Sequence, residues 1–524
     1  MSWKPEVDEI ERRRALAREH GGEAAVARQH EQGRLAVRER IDALVDAGSF
    51  REQGQVAGHA EPADAGGGDG RPAAFTPANV VMGTARIDGR PVVVCGDDFT
   101  LRGGAYSAVG LKKALYADEL AIRRRTPLVR LLEGGGASVA GTSGTRGRSG
   151  YDMTAPPALN LLALDALAHV PVVCAALGPV AGFPAARLVA SHLALMTRDT
   201  AQVLTGGPAL VERALGEKLS KEELGGAEVH LRSGVVDRVA EDEADAWRQI
   251  RAFLGYLPTN VFDTPPVAAC DDPAARAEDE LLSLVPRERR RAYKMRRLLE
   301  LVLDAGSLFE LGAGFGRSQI TALARLAGHP VGVLANDCHH DGGAMTAHGA
   351  RKVRRFVELC DAFHLPVVSF VDEPGFMIGA EAERQATIRS GMEAMFAVLQ
   401  TEVPWFAVVV RKCFGVAAGI HLGPGATTVA WPSAESGALP VESGVALAYR
   451  REIEAAPDPD ARRRELEEEI ARAQSAFPRG EDFGVHDLVD PRETRPRLCD
   501  WVAEVQPRLA SLARSAPRRY TLRP

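Results

Sequence analysis

The sequence predicts a duplicated α/β fold, two copies of one domain in tandem. Three observations carry this. The segment Arg86-Ile-Asp-Gly-Arg-Pro91 matches Arg325-Leu-Ala-Gly-His-Pro330, and the same offset of 239 residues carries Gly103-Gly104 onto Gly342-Gly343, Gly110 onto Gly349, Lys113 onto Lys352, Pro127 onto Pro366 and Glu133 onto Asp372. Further on, Pro171 pairs with Pro404 and Gly182 with Gly415 at an offset of 233, so the first copy holds six extra residues (239 − 233), which the Gly/Ser-rich Ser138 to Gly150 accommodates. Each copy also sets a short β-branched run after an amphipathic stretch, as in Ala335 to Gly379, where a glycine turn, a helix and a buried strand follow one another. A repeat this long is a domain, not a solenoid period.

Length and composition agree. The 524 residues leave room for two cores, and 45% hydrophobic with 26% charged residues is ordinary globular usage. A net charge of −6 argues against nucleic acid as the main partner. The acidic start MSWKPEVDEIERRR lacks the apolar core of an export signal. The most apolar region, Ala158 to Met196, is interrupted by Asp165, His169, Pro171, Pro179, Gly182 and Pro184, so no membrane span is expected. Seven scattered cysteines without Cys-x-x-Cys suit a reducing cytoplasm and give no zinc-ligand spacing.

In chain order, residues 1–45 read as two amphipathic helices, packed outside the domain; the alternative is that Arg34, Arg38 or Arg40 grips an anionic ligand. Residues 58–75, rich in Ala, Gly, Pro and Asp, read as a flexible surface excursion. Strands follow at Val80 to Ala85, Pro91 to Cys95 and Leu128 to Leu132, with a helix over Ala105 to Arg125. A further helix within Ala158 to Ala168 has Leu161, Leu162, Leu164 and Leu167 on its apolar side. The strand Val170 to Leu177 then leads through Gly182-Phe183-Pro184 into a second apolar helix. Glu241 to Asp245 reads as an exposed acidic segment, and Leu257 to Pro286, rich in Pro and Asp, as the linker. In the second copy a helix carries Val353, Phe356, Val357, Cys360 and Phe363 on one face. Strands at Leu365 to Val371 and Val403 to Val410 follow, the latter feeding Gly415-Val416-Ala417. Ile453 to Gln474 reads as one charged helix, and Pro491 opens a helical tail.

The chemistry suggested by these residues is carried by backbone donors. Glu133-Gly134-Gly135-Gly136-Ala137 ends a strand with glycines that let N–H groups approach a ligand, but neither GxGxxG nor GxxxxGK[ST] spacing is present. No Ser-His-Asp or Cys-His pattern stands out, His339-His340 lacks further ligands nearby in sequence, and Cys413 reads as a small buried residue rather than a nucleophile. Two matching strand-to-helix turns suit a reaction in which one oxyanion on each of two substrates must be stabilised.

The chain resembles the carboxyltransferase (β) subunits of biotin-dependent acyl-CoA carboxylases, the propionyl-CoA and methylcrotonyl-CoA carboxylase group. The resemblance rests on Gly33-Arg-Leu-Ala-Val-Arg-Glu-Arg-Ile41, Gly103-Gly104, Glu222-Glu-Leu-Gly-Gly226, Phe363 through Asp372-Glu-Pro-Gly-Phe376, Ile388-Arg-Ser-Gly391, Trp431-Pro432 and Pro491-Arg-Glu-Thr-Arg495, and covers almost the whole chain. It implies two tandem crotonase-like domains: residues 1–260 binding acyl-CoA, a linker at 261–288, and residues 289–524 binding biotin. It further implies carboxyl transfer from carboxybiotin to the α-carbon of an acyl-CoA, with proton chemistry supplied by the cofactor and no metal. By the same resemblance Gly182 and Phe183 hold the thioester oxyanion and Val416 and Ala417 the ureido oxygen, while Gly135, Gly136, Ala137, Gly375, Phe376 and Gly415 bind the cofactors. The active site would lie between the first domain of one subunit and the second of another, in a homo-hexamer built from dimers.

This chain departs from the family at Gly182-Phe183-Pro184 (usually Gly-Gly-Ala), at Val416 (usually Gly) and at Ser138 (usually Arg). It has no Ala-Met-Lys-Met biotinylation site and no ATP-binding signature, so a separate biotin carboxylase and biotin carrier are implied. The alternatives are a biotin-dependent decarboxylase and a non-catalytic CoA-binding or scaffolding subunit.

Overall fold

A computed structural model describes residues 2–61, 74–135 and 164–513. The chain divides after Gly255 into two compact units. Among the described residues each unit is built on an eight-stranded mixed sheet. In the first, the strands run from edge to edge as Arg51–Gln53, Val80–Ile87, Arg90–Asp97, Leu128–Gly134, Val172–Ala181, Leu193–Thr197 and Arg238–Ala240, with Gln202–Leu204 paired to the far end of Val172–Ala181. In the second the order is Phe309–Leu311, Gln319–Leu326, His329–Asn336, Val367–Glu373, Trp405–Phe414, Thr427–Ala430 and Asp487–Leu488, with Glu435–Gly437 paired to the end of Trp405–Phe414. The first two pairings in each sheet are antiparallel and the others parallel.

The register repeats residue by residue. Val80 pairs with Asp97 as Gln319 pairs with Asn336, Leu128 with Val172 as Val367 with Trp405, and Pro179 with Gln202 as Lys412 with Glu435. Each pairing keeps the offset of 239 or 233 seen in the sequence. Turns repeat too. Asp88 and Ala327 have φ of 50° and 48°, and Arg125 and His364 have 52° and 57°. The left-handed turn thus recurs where neither copy has glycine, because the strand connection demands it.

Parallel strands covered on both faces are largely apolar, and the polar residues they carry must find partners inside. Leu128–Gly134 and Val367–Glu373 are buried at every position. The second core gathers Ile320, Val333, Val368, Phe370, Val408 and Trp431 under Leu498 and Trp501 of the C-terminal helix Thr494–Glu504. The helices Ala108–Arg124 and Ala347–Ala362 start alike, with Ser107 and Thr346 hydroxyls accepting the N–H groups of Gly110 and Gly349, both at 2.9 Å.

Several expectations are corrected. The N-terminus forms three helices, Lys4–Arg18, Glu23–Glu31 and Val37–Leu44, because Gly22 and Gly33 interrupt at φ of 91° and 71°. The excursion at 58–75 contains a two-stranded pair, Gly58–Glu61 with Ala74–Pro77; residues 62–73 lie outside the described residues. The charged helix is split into Arg450–Ala455 and Pro459–Gln474, since Pro457 and Pro459 remove backbone donors and Asp458 caps the second. Glu243, read as exposed, is only 7% exposed: it turns inward to meet Arg40.

Candidate functional site

Each sheet ends one central strand in a glycine turn that opens a helix. In the first unit, Val172–Ala181 runs into Gly182 (φ 66°, ψ −125°) and the helix Phe183–Val189. Pro184 is tolerated because the N–H it lacks would have no intrahelical partner in the first turn. The Gly182 N–H donates to the Leu204 carbonyl at 3.2 Å, which ties the turn to the strand Gln202–Leu204. Phe183 meets Tyr106 edge-on, ring centroids 6.2 Å apart. In the second unit, Trp405–Phe414 runs into Gly415 (φ 63°), the four-residue helix Gly415–Ala418 and the 3-10 turn Gly419–His421. Val416 is 60% exposed and Ala417 buried.

The loops after the neighbouring strands stand beside these turns. The Gly135 N–H donates to the Gly103 carbonyl at 3.2 Å, and Gly104 lies so close to the Glu133 carbonyl that a Cβ there would collide with it. Gly136, Ala137 and the Ser138 to Gly150 insertion lie outside the described residues. In the second unit Gly375 (φ 126°) accepts the Met345 N–H at 3.0 Å, Phe376 bridges to Met345, and the Phe376 ring fills the space that a side chain at Gly391 would need. The helix Gly415–Ala418 packs beside Val367–Glu373, so Gly375, Phe376, Gly415, Val416 and Ala417 share one corner of that unit.

Buried polar networks back both turns. Behind the first, Tyr106 Oη donates to Asp97 at 2.9 Å, Arg187 Nη1 donates to Tyr106 at 3.2 Å, and Asp118 accepts Arg187 Nη2 at 2.9 Å and Arg130 Nε at 3.1 Å. Burial raises the Asp97 carboxyl to about 7, against the pull of Arg187 and Tyr106. Behind the second, Glu373 receives Asn336 and Gln319 side chains and faces His421. Ser369, His421 and Glu373 line up at 3.2 and 3.3 Å, but all three are fully buried, so the serine cannot meet a substrate. No sequence pattern announced either network, because its partners are spaced irregularly, from 9 residues apart for Tyr106 and Asp97 to 81 for Arg187 and Tyr106.

Other candidates find structural employment. Arg34 and Arg40 bind buried Glu133 at 2.8 and 2.5 Å, Arg40 also binds Glu243 at 2.7 Å, and Arg38 binds Glu52 at 2.5 Å, which corrects the idea that they grip a ligand. Cys413 lines a cavity of about 330 Å³ with Val409, Leu422, Ala430 and Arg479, and burial pushes its thiol up to about 11, so it is protonated at neutral pH. His340 Nε2 stands 3.8 Å from Asp337, and among the described residues no three ligating side chains converge. Among these residues, too, no helix is long and apolar enough to cross a membrane.

The class of this duplicated α/β chain is shown by its family match: the Carboxyl transferase domain covers residues 28–508. The chain belongs to the carboxyltransferase subunits of biotin-dependent acyl-CoA carboxylases, and its halves are tandem crotonase-like domains. It is 35% identical over 509 residues to the propionyl-CoA carboxylase carboxyltransferase subunit of Haloferax mediterranei, covering 95% of each chain. It is 32% identical over 504 residues to the methylmalonyl-CoA carboxyltransferase 12S subunit of Propionibacterium freudenreichii subsp. shermanii, covering 94% of this chain and 92% of that one. Among solved structures it is similar to transcarboxylase 12S with methylmalonyl-coenzyme A and methylmalonic acid bound, at a TM-score of 0.85 and 29% identity over 96% of both chains.

Proposed function

We propose that this enzyme moves a carboxyl group from carboxybiotin, presented by a separate carrier subunit, to the α-carbon of an acyl-CoA. In this reading residues 1–260 bind the acyl-CoA, 261–288 link the halves, and 289–524 bind biotin. The observation that carries it is the repeated glycine turn, Gly182 and Gly415, in identical sheet register.

The two turns divide the work. At the first, Gly182 supplies the left-handed backbone that swings the chain into its helix, and the thioester oxygen sits at the Gly182–Phe183 peptide. Gly135, Gly136 and Ala137 flank the acyl-CoA. Phe183, held edge-on against Tyr106, borders the acyl group in this reading, so the choice of acyl group depends on this chain's own side chains. At the second, the residues fit a ureido group: Gly415 and Val416 are exposed residues opening a helix whose first N–H groups lack intrahelical acceptors, and nothing stands within 4 Å of where a side chain on Gly375 would begin. Val416 and Ala417 donate to the ureido oxygen while Gly375, Phe376 and Gly415 shape the pocket around it. Carboxybiotin, when bound, supplies the carboxyl group and the base, so the protein's task is to orient, to exclude water and to stabilise charge. Each donor set is worth on the order of 3 kcal/mol of barrier.

The assembly proposed is a homo-hexamer, the state of the transcarboxylase 12S relative. Ile388, Met392, Phe396 and Leu399 support it: they are exposed at spacings of four, four and three along the helix Thr387–Leu399, one apolar stripe beside the exposed Arg389 and Glu393. The seven thiols, all free, suit the reducing cytoplasm as its location. Reconstitution tests the function. With biotin carboxylase, biotinylated carrier, ATP and labelled bicarbonate, label should enter acid-stable acyl-CoA product only when this chain is present; no product with any acyl-CoA would overturn it.

A further inference from the structure

We propose that Glu373 and His421 are positioning residues for the biotin-side turn, an inference that rests on the placement of biotin given above. Glu373 is fully buried and collects donors from separate segments. Its Oε1 accepts the N–H groups of Met345 at 3.1 Å and Gly375 at 3.0 Å. Its Oε2 accepts Asn336 Nδ2 at 3.0 Å and Gln319 Nε2 at 3.3 Å, and stands 3.3 Å from His421 Nε2. The other ring nitrogen of His421 lies 3.2 Å from Ser369 Oγ, so the imidazole is held on both sides. His421 ends the turn Gly419–His421, which follows the helix Gly415–Ala418 directly. One carboxylate therefore fixes both segments of the corner: the loop bearing Gly375 and Phe376 through the Gly375 N–H, and the segment bearing Val416 and Ala417 through His421.

The fold itself does not require this tie. At the same register positions the first unit has Gly134 for Glu373, Leu188 for His421 and Arg130 for Ser369. Its own turn is braced from the helix side by Arg187, which reaches Asp118 and Tyr106. Two halves with one backbone plan thus brace their turns with unrelated chemistry. The Glu373 to His421 contact is a device of the second half alone, and it acts where the geometry of the Val416 and Ala417 donors is set. Loosening it should weaken the biotin side and spare the acyl side.

The test uses the full chain and free biotin, with His421→Leu as an apolar replacement of similar bulk and His421→Gln as the conservative variant. In biotin-dependent loss of the carboxyl group from methylmalonyl-CoA, His421→Leu should raise the KM for biotin about tenfold and leave the KM for the thioester within about twofold, with His421→Gln restoring most of the difference. Equal changes in both KM values, or none, would overturn the proposal. Amide hydrogen exchange provides a readout independent of turnover: in His421→Leu, peptides covering 374–378 and 415–422 should both exchange faster while 183–189 is unchanged. Unaltered protection in either segment would overturn the tie. A wild-type chain with no biotin-dependent activity would instead sink the functional reading, with the exchange pattern still deciding whether Glu373 and His421 hold the corner.

Discussion

Gly182 and Gly415 adopt φ of 66° and 63° at strand ends that keep the same register with their neighbours. What the duplication repeats at these points is a backbone conformation: one turn continues as Phe-Pro and the other as Val-Ala. A left-handed φ costs an L-residue about 1–2 kcal/mol, and at Gly415 that backbone strain, with no clash, is what a side chain would add. Gly415→Ala should therefore lower biotin-dependent carboxyl exchange by about 10- to 100-fold while acyl-CoA affinity, measured by calorimetry, stays as in the wild type.

Asp97 gives stability a pH dependence whose sign is fixed by burial. Its carboxyl titrates at about 7 in the fold against 3.8 ordinarily, so the folded state holds a proton that the unfolded chain has lost between those values. The contribution is complete below about pH 4 and is lost as pH rises to 7, a span of about 4 kcal/mol at most. Asp97→Asn removes it. In urea titrations the variant should gain on the wild type steadily from pH 4 to 7.

Arg40 sits between Glu133 and Glu243 at 1% exposure, and its loss would leave two buried carboxylates with Arg34 as the remaining cation. Arg40→Met should destabilise the protein by about 3–5 kcal/mol, read as a lower urea midpoint with an unchanged slope.

Phe396 is 65% exposed in the middle of the apolar stripe on Thr387–Leu399. Phe396→Asp should shift the protein in sedimentation velocity from a hexamer to smaller species. A mixture that still sediments as the wild type would count against this surface.

Much of the framework was legible in the sequence for a physical reason: buried parallel strands carry apolar runs such as Val367, Val368, Phe370 and Val371, and turns with φ above zero favour glycine, so both leave marks in one dimension. Gly22, Gly33 and Pro457 carried the same kind of mark for the N-terminal and charged-helix breaks, and closer weight on them would have found those ends. The polar braces left none. Arg40 lies 203 residues from Glu243, and Glu373 lies 48 from His421; nothing local distinguishes such residues from solvated charges until the chain is folded. Glu243 shows the hazard, one inward carboxylate in an acidic run. The candidate site was readable only where backbone conformation, and not side-chain contact, defines it.

The most direct measurement is carboxyl exchange with free biotin. The purified chain is mixed with biotin and malonyl-, methylmalonyl- or longer α-carboxyacyl-CoA, and loss of the carboxylated thioester is followed. Loss that depends on biotin, and that falls in Gly415→Ala, is the predicted result and would also rank the acyl groups. No loss across the panel, while a propionyl-CoA carboxylase carboxyltransferase subunit works alongside, would contradict carboxyl transfer by this chain.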